Sequence, residues 1–135
     1  MERIVVWYLR MSVVYFVAGA VIGLIMIMDP AVSGYFVASH AHLNLLGFMS
    51  MMIYGVGYHI LPKFSGRNIY SHGIMHAQYW FANAGLVGLA AGWPLRGGGD
   101  FPIAGPLLVI SALLSFIAVI LFAFNILKTI KAVQM

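Results

Sequence analysis

Of the chain's 135 residues, only seven are Lys or Arg and three are Asp or Glu, while 63% are hydrophobic. A mean hydropathy of +0.99 lies far outside the range of soluble domains and predicts an integral membrane protein. Cysteine is absent, which excludes disulfides, iron–sulfur clusters and thiolate metal sites, so a metal here must use nitrogen, oxygen or thioether ligands. The net charge of +4 does not point to nucleic acid, because its placement follows topology. Arg3, Arg10, Lys63, Arg67, Lys128 and Lys131 fall on one side of the apolar runs and Arg96 on the other, so the positive-inside rule puts both termini in the cytoplasm.

The first expected span runs from Met11 to Met28. It is too long for a removable signal peptide and lacks a small-residue cleavage site. Its Gly19-x-x-x-Gly23 spacing makes a groove for close backbone approach, either within a bundle or between copies. Asp29-Pro30 ends the span and Ser33-Gly34 continues the loop. The second span, Ala38 to Leu61, opens with His40 and His42 and is closed by Pro62. The third, Ile74 to Trp93, carries Gly88-x-x-x-Gly92, and Gly97-Gly98-Gly99 with Pro102 separates it from the fourth, Ile103 to Leu127. Each run approaches the ~20 residues that a helix needs to cross the hydrocarbon core. Short loops make consecutive spans antiparallel neighbours, so the expected fold is an all-α, single-domain, four-transmembrane-helix up-down-up-down bundle. Met26, Met28, Met49, Met51 and Met52 lie inside apolar helices, where gap-filling is the ordinary use of Met.

His40 and His42 are the main candidate site. Ionisable groups at membrane depth are costly and mark functional sites, although an interfacial histidine can also do no more than hydrogen-bond a carbonyl or headgroup. Residues two apart on a helix are separated by about 200°, so these imidazoles point to opposite sides and cannot grip one metal together. Gly47 removes a side chain where a flat macrocycle or a neighbouring helix can press on the backbone. Arg96 is the only basic residue expected on the outer side, returning toward the histidine end, and its guanidinium suits a carboxylate such as a haem propionate. The competing reading is an exposed interfacial charge near Asp100. A second candidate site comprises His59, His72 and His76, of which the last two share a helix face. They either hold a transition metal or join Tyr58 and Tyr70 in an interfacial belt of amphipathic rings.

From Ala38 onward the chain resembles the catalytic subunit of haem–copper oxidases, especially the cbb-type oxidases and the related nitric oxide reductases. The resemblance rests on His40, His42, Gly47, Gly55, Tyr58, Pro62 and Arg67, then on Tyr70, Ser71, Trp80, Ala82 and Gly85. It implies that His40 corresponds to the ligand of the high-spin haem and His42 to that of the low-spin haem, with haem b as cofactor. It also implies a bacterial or archaeal cytoplasmic membrane. Gln78 stands where the cbb-type pattern has His. The family's earlier helices, with the remaining metal ligands and proton channels, have no counterpart here, so four-electron oxygen reduction is not expected. The resulting expectation is a small b-type haem protein whose single bundle is too small to enclose the cofactor, hence a homodimer with Gly19 and Gly23 as one contact surface. Nitric oxide or oxygen binding, electron transfer and haem holding are its candidate roles. The alternative is an accessory or assembly subunit of a respiratory oxidase or nitric oxide reductase complex without redox chemistry of its own.

Overall fold

The computed structural model describes residues 1–130, which leaves Lys131, one of the charges used above for topology, outside the described residues. The fold is all-helical: α1 (Arg3–Met28), a short 3-10 turn (Pro30–Val32), α2 (Ser33–His42), a π-helical stretch (Leu43–Ser50), α3 (Met51–Phe64), α4 (His72–Gly98) and α5 (Ala104–Thr129). The segment from α2 through α3 is one continuous helical rod. Helix α1 packs along that rod, α4 packs against α2 and α5, and α3 also touches α5.

Three helical segments are long and apolar enough to cross a membrane: α1, the Pro30–Phe64 rod and α5. Helix α4, the third expected span, is 27 residues long but carries His76, Gln78 and Asn83, which dilute its apolar character. Two of those groups are used inside the molecule. Gln78 is fully buried, and Asn83 accepts a hydrogen bond from the Tyr15 hydroxyl of α1.

The break after α1 falls at Asp29-Pro30 as the sequence predicts, with the Asp29 carboxylate accepting from the Ala31 N–H and Pro30 starting the 3-10 turn. The expected end at Pro62 is corrected, and the third span runs past Trp93 into the glycine run expected to separate it from the fourth. Helix α3 continues through Pro62 and stops at Gly66, whose φ of +58° is costly for other residues. There the Gly66 N–H donates to the Lys63 carbonyl and the Arg67 N–H to the Pro62 carbonyl, which closes the helix in a Schellman motif. Helix α4 likewise continues through Pro94 to Gly98. Pro94 has no N–H for the Ala90 carbonyl four residues back. The buried Ser39 hydroxyl of α2 donates to that carbonyl instead, at 2.7 Å, and so the kink-prone site becomes a bond between helices.

Small residues let the helices approach. On α4, Gly85, Gly88 and Gly92 lie against Ser111, Ser115 and Leu108 of α5. Gly47 sits between Tyr15 of α1 and Leu86 of α4, and a Cβ there would come within 2.6 Å of the Tyr15 Cβ. Neighbouring helices, not a macrocycle, fill the space that Gly47 leaves.

Candidate functional site

Helix α2 ends in Ser39-His40-Ala41-His42, and the roughly 100° step per residue sends these side chains to different neighbours. Ser39 faces α4. The His40 ring faces α1, where its Nδ1 is 2.8 Å from the Gly19 carbonyl oxygen and its edge lies flat against Gly23. Asn44, one turn on, donates to the His40 carbonyl and packs its carboxamide on Gly19. The Gly19-x-x-x-Gly23 groove is therefore occupied by residues of the same chain. That corrects the expectation of a glycine contact surface between copies: the small residues admit polar side chains of α2 and of the adjoining π-helical stretch.

His42 points the other way. Its Nδ1 is 2.7 Å from the Ala38 carbonyl, and a carbonyl can only accept, so Nδ1 carries the proton and Nε2 keeps a lone pair. The ring lies near that of Trp93, with centroids 6.2 Å apart and planes 29° apart. His42, Trp93 and Arg96 line one cleft of about 390 Å³ with Leu89, Leu108 and Ser115. Two further polar groups of this cleft are buried without a hydrogen-bond partner, the Trp93 indole N–H and the Ser115 hydroxyl. Buried donors are normally satisfied, so these two are exceptions, and the Ser115 hydroxyl lies in the close contact with Gly85 of α4. Immediately after His42 the backbone widens into the π-helical stretch, a distortion frequently found at functional sites.

The sequence-predicted residues thus separate. The structure brings His42 and Arg96 together on one cleft, holds His40 on α1 and buries Gly47 between helices. Arg96 lies in the last turn of α4, where a cation also complements the helix dipole. Ser39, Asn44, Trp93 and Ser115 are additions that sequence reasoning missed. Pro94 inside an apolar run was the available signal for Ser39, since its orphaned carbonyl requires a donor from elsewhere.

The second candidate group does not assemble as a metal site. The Lys63 ammonium donates to Nε2 of His59 at 3.0 Å, and His72 pairs with Glu2 at 3.1 Å. Among the described residues no three of His, Cys, Asp and Glu converge in a way that could hold a metal ion. His59 and His72 are each engaged by a side chain of Lys63 or Glu2, and His76 is not among the residues that line the cavity those two share. Gln78, at the position noted for its departure from His, accepts hydrogen bonds from Tyr8 at 2.9 Å and Tyr58 at 2.7 Å.

A stretch of 49 residues is 37% identical to the cbb3-type cytochrome c oxidase subunit CcoN1 of Stutzerimonas stutzeri, covering 36% of this chain and 10% of that subunit. The chain therefore spans about a tenth of the length of the relative it matches. No family model matches the chain, and no solved structure matches it. The partial match supports a distant haem–copper oxidase relationship for this membrane-type helical chain.

Proposed function

We propose that the chain is a small membrane protein that binds haem b through Nε2 of His42, with Arg96 pairing a propionate. The observation that carries this reading is the shared cleft, in which a histidine of fixed tautomer and an arginine line mostly apolar walls. These groups fit haem, which needs a neutral imidazole ligand, an apolar cradle and a cation for its carboxylates. The ring of Trp93, close to that of His42, adds an aromatic face to the same wall. When bound, the haem supplies an iron that exchanges an electron or takes a diatomic gas.

His42 is the only side chain lining the cleft with an imidazole, thiolate or thioether. His42 would hold the iron, and with no second such group from the same chain on the cleft the reading favours binding of nitric oxide or oxygen. Haem on His40 would require parting α1 from α2, because the ring occupies the Gly19–Gly23 groove. The cleft is open on one side, and a second copy of the chain would complete its wall, so the functional unit is proposed as a homodimer. The four helical rods are proposed to cross a bacterial or archaeal cytoplasmic membrane with both termini inside, α4 crossing because Gln78 and Asn83 are bonded to other helices.

The test is the ultraviolet–visible spectrum of the purified, haem-loaded protein, oxidised and reduced, with and without carbon monoxide. A Soret band that shifts with carbon monoxide is expected, from a species of two chains. A colourless protein that takes up no added haem would refute the reading and leave an accessory or assembly subunit of an oxidase or nitric oxide reductase complex.

A further inference from the structure

At the opposite end from His42, where α1 and α4 begin and α3 ends, a cavity of about 270 Å³ is lined by Lys63, Arg67, His59, His72, Glu2 and Asn68, among others. We propose that this cavity binds a phosphate-bearing anion. The argument is one of unbalanced charge. Lys63 and Arg67 both line the cavity, yet the only carboxylate there, Glu2, is engaged by His72. Lys63 meets only an uncharged acceptor, Nε2 of His59. Among the described residues Arg67 has no side-chain hydrogen bond and no ion pair, since the His72–Glu2 contact is the only one of salt-bridge length.

The backbone adds to this field. Helix α4, 27 residues long, starts at His72 with no acidic residue in its first turn, and its Ser71 cap satisfies only the Ile74 N–H. Helix α1 starts at the same end, and its Glu2 cap makes no side-chain bond to the helix. The two positive helix ends outnumber the single negative end of α3, whose last carbonyls are closed by Gly66 and Arg67, and add to two cationic side chains. A metal cation would meet Lys63 and Arg67 as like charges, whereas a phosphate meets a guanidinium that can bind two of its oxygens at once. The flanking Phe64 and Tyr70 are 79% and 56% exposed, as expected of aromatic residues at a membrane interface. A lipid headgroup lies at that depth, and a free phosphate reaches it from the aqueous side.

The two sources share one chemistry and are separated by experiment. The full chain, isotopically labelled on histidine, is delipidated in dodecyl maltoside, which carries no phosphate. Inorganic phosphate and short-chain phosphatidylglycerol are then titrated separately while the imidazole resonances are followed. Saturable shifts of His59 and His72, with His42 unmoved, are expected from at least one ligand. A response to phosphate alone assigns the free ion, and one to the lipid assigns the headgroup. Lys63→Gln with Arg67→Gln should weaken binding at least tenfold, while Lys63→Arg, which keeps the charge, should bind within about threefold of wild type. Absence of a saturable shift with both ligands, or equal affinity in the double variant, would overturn the proposal.

Discussion

At the end where α1 begins, Tyr8, Tyr58, Gln78 and Asn125 bring all four helical rods into one buried hydrogen-bonded network, whereas around His42 the buried donors of Trp93 and Ser115 have no partner. In the network Asn125 both accepts from the Ser71 N–H at 3.0 Å and donates to the Ser71 carbonyl at 2.9 Å. Thr129 accepts from the Tyr70 N–H, so α5 ties down the chain entering α4. Only the Gln78 side-chain nitrogen is left unpartnered there. Tyr8 and Tyr58 add ring contacts, with centroids 5.9 Å apart. At the His42 end, the imidazole's hydrogen bond stays within its own helix, and the cleft walls are Leu, Val and Trp. Hydrogen bonds that run between helices fix helix positions at the first end, whereas an apolar cleft with a histidine bonded only within its own helix suits a ligand at the other.

That contrast is open to attack from the network side first. Asn125→Leu strands the Ser71 N–H and leaves the Ser71 carbonyl only the Met75 N–H, and a stranded buried group costs about 1–3 kcal/mol. Thermal unfolding in detergent should show this as a large loss of stability, while haem bound per folded chain stays at the wild-type level. A variant that folds normally but loses haem would erase the distinction between the two ends.

A smaller loss is expected at the bond that joins α2 to α4. Ser39→Ala strands the Ala90 carbonyl opposite Pro94, at a cost of about 1–3 kcal/mol. Adding Pro94→Ala restores an N–H to the helix and should recover most of the loss, a coupling that a double-mutant cycle measures directly. Additive effects of the two substitutions would show that Ser39 does not serve the proline site.

Smaller still is the effect of Arg96. Arg96→Ala should weaken haem retention by about tenfold, the equivalent of ~1.4 kcal/mol. Arg96→Lys should recover part of it, because an ammonium keeps the charge but not the two parallel bonds. Titrated haem affinity and reduction potential equal to wild type in both variants would leave Arg96 as a surface cation.

Hydropathy made the apolar helices readable, and the Asp29-Pro30 break followed from turn chemistry. Helix extents were less legible. Pro62 reads as a terminator, yet Gly66 supplies the actual stop, and at Pro94, just past the expected end of the third span, a hydroxyl from another helix compensates for the missing N–H. The opposed directions of His40 and His42 follow from helix geometry alone. What the spacing could not supply was the identity of the neighbours: α1 glycines for His40, and Trp93 and Arg96 for His42. Gly19 and Gly23 illustrate the limit, since the same motif suits a dimer or an internal contact, and only the placement of Asn44 and His40 selects the latter.

The central claim, that His42 and not His40 holds the haem, is tested most directly by comparing His42→Ala with His40→Ala in equilibrium haem titrations of folded protein. The iron–nitrogen bond has no substitute among the cleft residues, so His42→Ala should lose the Soret band or bind haem at least a hundredfold more weakly. His40→Ala should keep the wild-type spectrum and lose only the packing of its ring on α1. Loss of haem in His40→Ala with a wild-type spectrum in His42→Ala would contradict the account.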